Sequence, residues 1–127
     1  MADRELKALL RRYLEEDTYS FEGFDELEIN SVGREQESVL HMICRRDATQ
    51  EAKLLILHGA NVNAQTDIGT TPLHTAAISC NIELARSLLQ HGAFPDTQDG
   101  FGNTAESIAI KSGCSAEFLD LLRAKFR

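Results

Sequence analysis

The sequence predicts an all-α chain, a solenoid of about three short helical hairpins closed by an N-terminal helical cap. Three observations carry that prediction. Residue groups return at a spacing of 33: Leu40-His41 at Leu73-His74, His58-Gly59-Ala60 at His91-Gly92-Ala93, and Gly69, Thr71 and Ala76 at Gly102, Thr104 and Ala109. A fixed period of that size signals stacked repeats. Helix punctuation keeps the same phase. Thr71-Pro72 starts a helix, since the Thr hydroxyl accepts from a first-turn N–H and Pro at the first position loses no intrahelical bond. Finally, each apolar stripe is too short to close a core alone, so copies must cover one another.

Taken in order, residues 1–27 form the cap. Asp3 to Glu16 places Leu6, Leu9, Leu10, Tyr13 and Leu14 on one helical face, which reads as the first helix of that cap. The link that follows, Asp17 to Glu28, is long, and its Phe21, Phe24 and Leu27 are expected to fold back onto the cap helix. Residues 28–60 are the first repeat. Ser38 replaces Thr71 as helix cap, Val39 replaces Pro72, and Gln36 stands at the position of Gly69, which predicts a less sharply defined turn. Thr49 to His58 is its second helix.

Residues 61–93 are the central repeat. Leu73, Ala76 and Ala77 make the stripe of its first helix, Asn81 interrupts the run, and Ile82 to Gln90 buries Ile82, Ala85, Leu88 and Leu89. Gly92 closes that helix, because glycine takes the left-handed conformation at little cost. Residues 94–127 are the last repeat and carboxyl cap. Glu106 stands where Leu40 and Leu73 are buried, so that face is expected to meet water. Phe118, Leu119, Leu121 and Leu122 form the final helix, with one residue missing ahead of it, and Lys125 and Arg127 suit its carboxyl end.

The central segment resembles the ankyrin repeat: Thr71-Pro72-Leu73-His74-Thr75-Ala76 is that family's T-P-L-H-x-A, and Leu88-Leu89-Gln90-His91-Gly92-Ala93 is like its second-helix ending. The resemblance runs from about Leu27 to Arg127, with Cys80 near the inter-helix turn where the family usually has glycine. It implies that His41 and His74 bond to backbone or to the cap hydroxyl near each turn. It also implies a non-enzymatic protein-binding module that uses hairpin tips and the exposed face of each first helix.

Composition bounds the function. The 127 residues are one domain by length, with 43% hydrophobic and 26% charged residues and a net charge of −7. Up to Glu37 there are eleven acids against five bases, and no Lys or Arg lies between Glu15 and Glu28. That acidic run is either a solvated surface or a landing site for a basic partner, with Glu22, Asp25 and Glu26 as the docking carboxylates. Either way nucleic acid is disfavoured as a ligand. No secretory signal opens the chain, and its longest aliphatic run, Leu54 to Leu57, is too short for a bilayer, so a cytoplasmic chain without membrane attachment is expected.

Catalytic and metal chemistry finds little support. Cys44, Cys80 and Cys114 are odd in number and lack C-x-x-C spacing, which suggests neither a disulfide framework nor a zinc site. Cys44 reads as buried packing, while Cys80 is open to a redox role through exposure. His41, His58, His74 and His91 repeat in phase and lack H-E-x-x-H or Cys/His ligand spacing, so neither metal, cofactor nor catalytic residue is assigned. A metal-dependent enzyme is the remote alternative. Gly100-Phe101-Gly102 follows no apolar strand, which argues against a phosphate loop.

Positions where the copies disagree are free of the scaffold's demands, and they nominate the partner-binding residues. At the tips these are Arg34, Glu35 and Glu37, then Asp67, Ile68 and Thr70, then Phe101 and Asn103 beside Gly100. On the outer turns of the first helices they are Arg45 and Arg46, Ile78 and Ser79, and Lys111 beside Ser112. Ile68 and Phe101 share a phase and should be exposed neighbours, a protein-binding patch unless Phe101 packs on its own hairpin. Arg45, Arg46 and Lys111 would give a basic fringe. The expected role is inhibitor or neutraliser of one protein, as a monomer alone or a heterodimer with its partner. A bacterial immunity protein blocking a toxin is one version; an inhibitor or adaptor of a kinase or transcription factor is the other.

Overall fold

The computed structural model describes residues 2–17 and 19–124. Among them are seven α-helices and no sheet, only an isolated bridge between Val32 and Ser38. They are α1 (Ala2–Glu16), α2 (Val39–Arg45), α3 (Thr49–Leu57), α4 (Pro72–Ser79), α5 (Ile82–Gln90), α6 (Ala105–Ser112) and α7 (Ala116–Arg123). The first helices α2, α4 and α6 stack in one row and the second helices α3, α5 and α7 in another. The cap helix α1 packs against α3 and so takes a place in the second row. It was expected as the first helix of a cap unit; among the described residues no first-row helix accompanies it.

Each first helix begins alike. Ser38, Thr71 and Thr104 accept from the backbone N–H three residues on, and the side chain at that third position bonds back to the cap N–H. Asn81 is more than an interruption. It caps α5 through Leu84 N–H at 3.0 Å, and its amide reaches Asp47 Oδ1 at 2.7 Å and Thr49 Oγ1 at 2.8 Å in the preceding repeat.

The core runs along the stack: Tyr13, Phe21 and Leu27 at one end, Ile43, Leu55, Leu73, Leu84 and Leu88 between, Phe118 and Leu122 at the other. Leu9 and Leu10 join it from α1, while Leu6 and Leu14 are partly buried. Phe21 and Leu27 fold back as expected, but Phe24 is exposed and meets the Phe21 ring edge-on at 5.5 Å. On α5, Leu84 and Ser87 are buried and Ile82 only half-buried. Two carbonyl-to-amide bridges join repeat ends: Asn30 Oδ1 accepts from Asn61 N–H at 2.8 Å, and Asn63 Oδ1 from Phe94 N–H at 2.9 Å.

The first turn has no glycine at the phase of Gly69: Glu35 and Gln36 themselves take positive φ (61° and 59°), and Glu37 N–H closes it on the Arg34 carbonyl at 3.1 Å. The linker before α7 is one residue longer than its counterpart, not shorter: Asn81 to Ser115 exceeds the period of Thr71 to Thr104 by one. That extra residue is Cys114, between the left-handed end of α6 at Gly113 and the cap Ser115. It meets Cys80, and the two form a disulfide with Cα atoms 5.3 Å apart. The expectation that the cysteines form no disulfide therefore falls, and only Cys44 is left as a free thiol. Cys80 closes α4 at φ 54°, the phase held by Asp47 and Gly113 in the other repeats. Glu106 does face water, paired with Arg123 Nη2 at 2.6 Å. Lys125 and Arg127 lie outside the described residues.

Candidate functional site

The hairpin tips are built by backbone bonds. Gly33, Thr66 and Asp99 each donate an N–H to the carbonyl four residues on, at 2.9, 3.0 and 2.9 Å. Gly69 N–H then returns to the Thr66 carbonyl at 2.9 Å with φ +82°, and a Cβ there would stand 2.9 Å from the N of Gly100. Glycine is required at this point on both counts. In the third tip the Asp99 carboxylate accepts from Phe101 N–H at 2.8 Å and Asn103 N–H at 2.9 Å. Burial would raise its pKa, but those two bonds outweigh it and hold the carboxyl below its usual value.

Adjacent tips are tied together. Glu35 carbonyl accepts from Asp67 N–H at 2.9 Å, and Ile68 carbonyl from Gly100 N–H at 2.8 Å. Beneath them His41 Nδ1 accepts from Ser38 N–H at 3.1 Å, so Nε2 carries the proton and donates to the Thr70 carbonyl at 2.9 Å. His74 repeats this with Thr71 N–H and the Asn103 carbonyl. The resemblance implied that much of the histidines; their reach into the next repeat is the added finding. His91 Nδ1 bonds the Ser87 carbonyl at 2.9 Å. Among the described residues no group of three or more His, Cys, Asp or Glu is placed to hold a metal ion.

The nominated residues divide. Glu35, Asp67, Ile68, Ile78 and Phe101 are exposed, and the first four of them line, with Glu37, His41, Thr70 and Arg45, a groove of about 420 Å³ between the first two tips. The expected basic fringe is largely spent on internal pairs. Arg34 donates to the Tyr19 carbonyl at 2.7 Å, lies over the Tyr19 ring at 4.8 Å and pairs with Glu22. Arg45 pairs with Glu37. Arg46 pairs with Glu16 at 3.1 Å and covers the Tyr13 ring at 4.8 Å. Ser79 donates to Asp47 Oδ1 at 3.3 Å, and Lys111 to Asn103 Oδ1 at 3.0 Å.

Of the acidic docking residues, Glu22 is thus neutralised, while Asp25 and Glu26 line a cleft beside Lys7 and Arg11. The cap junction itself escaped the sequence reading. Tyr13 hydroxyl donates to Glu51 Oε1 at 2.8 Å, Arg12 pairs with the other Glu51 oxygen, and the Arg12 and Arg46 guanidinium groups lie over the Tyr13 ring at 5.3 and 4.8 Å. Burial raises the Tyr13 pKa. At Glu51 burial works upward too, but the bonds from Arg12 and Tyr13 prevail and lower it. A tyrosine on the buried face of a cap helix was the available signal, since a buried phenol needs a partner.

No helix among the described residues is long and apolar enough to cross a membrane. Residues 6–99 and 40–125 match the family model for ankyrin repeats (3 copies). The human BCL-6 corepressor-like protein 1 is 35% identical over 85 residues, covering 67% of this chain and 5% of that protein. The Caenorhabditis elegans ankyrin repeat and LEM domain-containing protein 1 homolog is 40% identical over 79 residues, 60% of this chain and 11% of its own. Human Rabankyrin-5 is 34% identical over 111 residues, 77% of this chain and 9% of its own. The chain thus spans only a small fraction of each relative's length. With the repeat matched across nearly all of its residues and seen three times in its helices, the chain belongs to the ankyrin-repeat family.

Proposed function

We propose that the stack holds one protein partner on its hairpin tips and the exposed turns of its first helices, and by covering that partner inhibits or neutralises it. Ankyrin repeats are protein-binding modules and in general not enzymes; the residues used and the inhibitory outcome are our reading. One observation carries it. Ile68, Ile78 and Phe101 are 53%, 62% and 76% exposed; Ile68 and Ile78 line one groove, and the tip of Phe101 is tied to that of Ile68 through Gly100 N–H. One repeat before Ile68 stands Glu35, and one repeat to either side of Ile78 stand Arg45 and Lys111, all charged, while Phe101 lies one repeat beyond Ile68. The scaffold therefore tolerates charge at these phases, and apolar side chains there serve something other than folding. A toxin held by an immunity protein and a kinase or transcription factor held by an inhibitor are both partners of this kind.

Ile68→Arg combined with Phe101→Glu tests the reading. Partner capture is expected to be lost while helical content and melting stay nearly unchanged. Full affinity in the double variant would remove these residues from the site. An activity assay of the captured partner, with and without the chain, then separates inhibition from simple tethering.

A further inference from the structure

We infer that the groove between the first and second tips takes a basic–aliphatic segment of the protein partner, with a Lys or Arg side chain between Glu35 and Asp67 and an apolar side chain against Ile68 and Ile78. This rests on the tips being the binding face. It follows from how the local charges are distributed. Arg34 is engaged by Glu22 and Tyr19, Arg45 by Glu37, and Arg46 by Glu16 and Tyr13. No described side chain makes a hydrogen bond or ion pair to the carboxylates of Glu35 or Asp67. Yet the bond from Asp67 N–H to the Glu35 carbonyl at 2.9 Å fixes these two residues on neighbouring tips.

The groove of about 420 Å³ has room for side chains from a partner. Its rim carries two uncompensated negative charges, and Ile68 and Ile78 give it an apolar wall. A free metal ion is a poor match, because no described group of acids and histidines is disposed to ligate one. A cation on a flexible apolar stem satisfies both features at once. The net charge of −7 favours approach of a basic segment over an acidic one.

The test presents the folded chain to a displayed library of random linear peptides. Enriched sequences are expected to carry Lys or Arg one or two residues from Leu, Ile, Val or Phe, and their binding should weaken as salt rises. Glu35→Lys with Asp67→Lys is expected to reverse the preference to acidic peptides; Asp67→Lys alone should weaken the selected basic peptides about tenfold. Enrichment without basic residues, no enrichment at all, or an unchanged basic preference in the charge-swapped chain overturns the inference. The Ile68→Arg, Phe101→Glu variant separates the two readings. Peptides lost on it but indifferent to the charge swap sink this inference and leave the binding face standing. Peptides that ignore both variants sink both.

Discussion

A Cβ built on Gly33 would collide with the carbonyl oxygen of Ser20 and stand 2.9 Å from the ring of Phe21. Gly33 holds the phase that Thr66 and Asp99 hold in the later tips, where their side chains bond to their own turns. The first tip cannot use that device, because the cap link is packed onto it and Arg34 N–H donates to Ser20 carbonyl at 2.9 Å. Gly33→Thr, which copies the central repeat, should therefore destabilise the chain by about 3 kcal/mol. Urea unfolding measures it. A neutral or stabilising result would mean that the cap link is not seated on the first tip.

His41 gives the chain a pH dependence of defined sign. Burial lowers its pKa against the weaker upward pull of the Thr70 carbonyl. The unfolded chain thus takes up a proton first as pH falls below about 6.5. Stability is full above that value and declines below it, by at most about 1.4 kcal/mol per pH unit, until the folded state also protonates. His41→Gln retains a side chain able to bond back to Ser38 N–H but loses the link to Thr70. It should be less stable at pH 7.5 and show a flatter decline to pH 5.5. An equal slope in both proteins would assign the decline to other groups.

The Cys80–Cys114 bridge closes a loop of sequence separation 34 between the second and third repeats, so its removal should cost about 3–4 kcal/mol. The loss should be local. Hydrogen exchange after reduction is expected to rise in α6 and α7 first, with α2 and α3 still protected. Thiol titration gives a second check. Cys44 is buried, with its pKa pushed up to about 12, so the folded oxidised protein should react at no thiol, the unfolded oxidised protein at one, and the reduced unfolded protein at three. Two reactive thiols in the folded, unreduced chain would refute the bridge.

The repeat axis was legible in the sequence because every unit solves the same burial problem with the same residues. Thr71, Pro72, His74 and Gly92 each have one physical task, and each performs it at the expected place. What crosses between units was less legible. A period of 33 shows which residues are equivalent but not which ones touch, so Cys114, displaced by one inserted residue, was not matched to Cys80. Arg34 and Arg46 show the same limit. Disagreement among copies marks them as unneeded by the repeat, and the cap then recruited both through Glu22 and Glu16. At the later tips Ile68 and Phe101 stay exposed, and no such recruitment by the cap touches them among the described residues.

Tyr13 is where the cap and the first repeat are joined, and its two functions can be separated. Tyr13→Phe keeps the ring that Arg12 and Arg46 contact but removes the hydroxyl that donates to Glu51 at 2.8 Å. The expected cost at pH 7 is about 1.5 kcal/mol, as for a bond to a charged acceptor. Tyr13→Leu also loses both cation–π contacts, each worth about 0.5–1 kcal/mol at an exposed edge, and should cost correspondingly more. Acid supplies the control. The Glu51 pKa is lowered in the folded chain, so its contribution is present above about 4.5 and is lost as pH falls through the folded value. Urea unfolding at pH 7 and pH 3 should therefore show the Tyr13→Phe penalty shrinking in acid, while the further step to Leu changes little. An unchanged penalty would mean that the phenol does not act on a carboxylate, and that the cap is held by apolar contact alone.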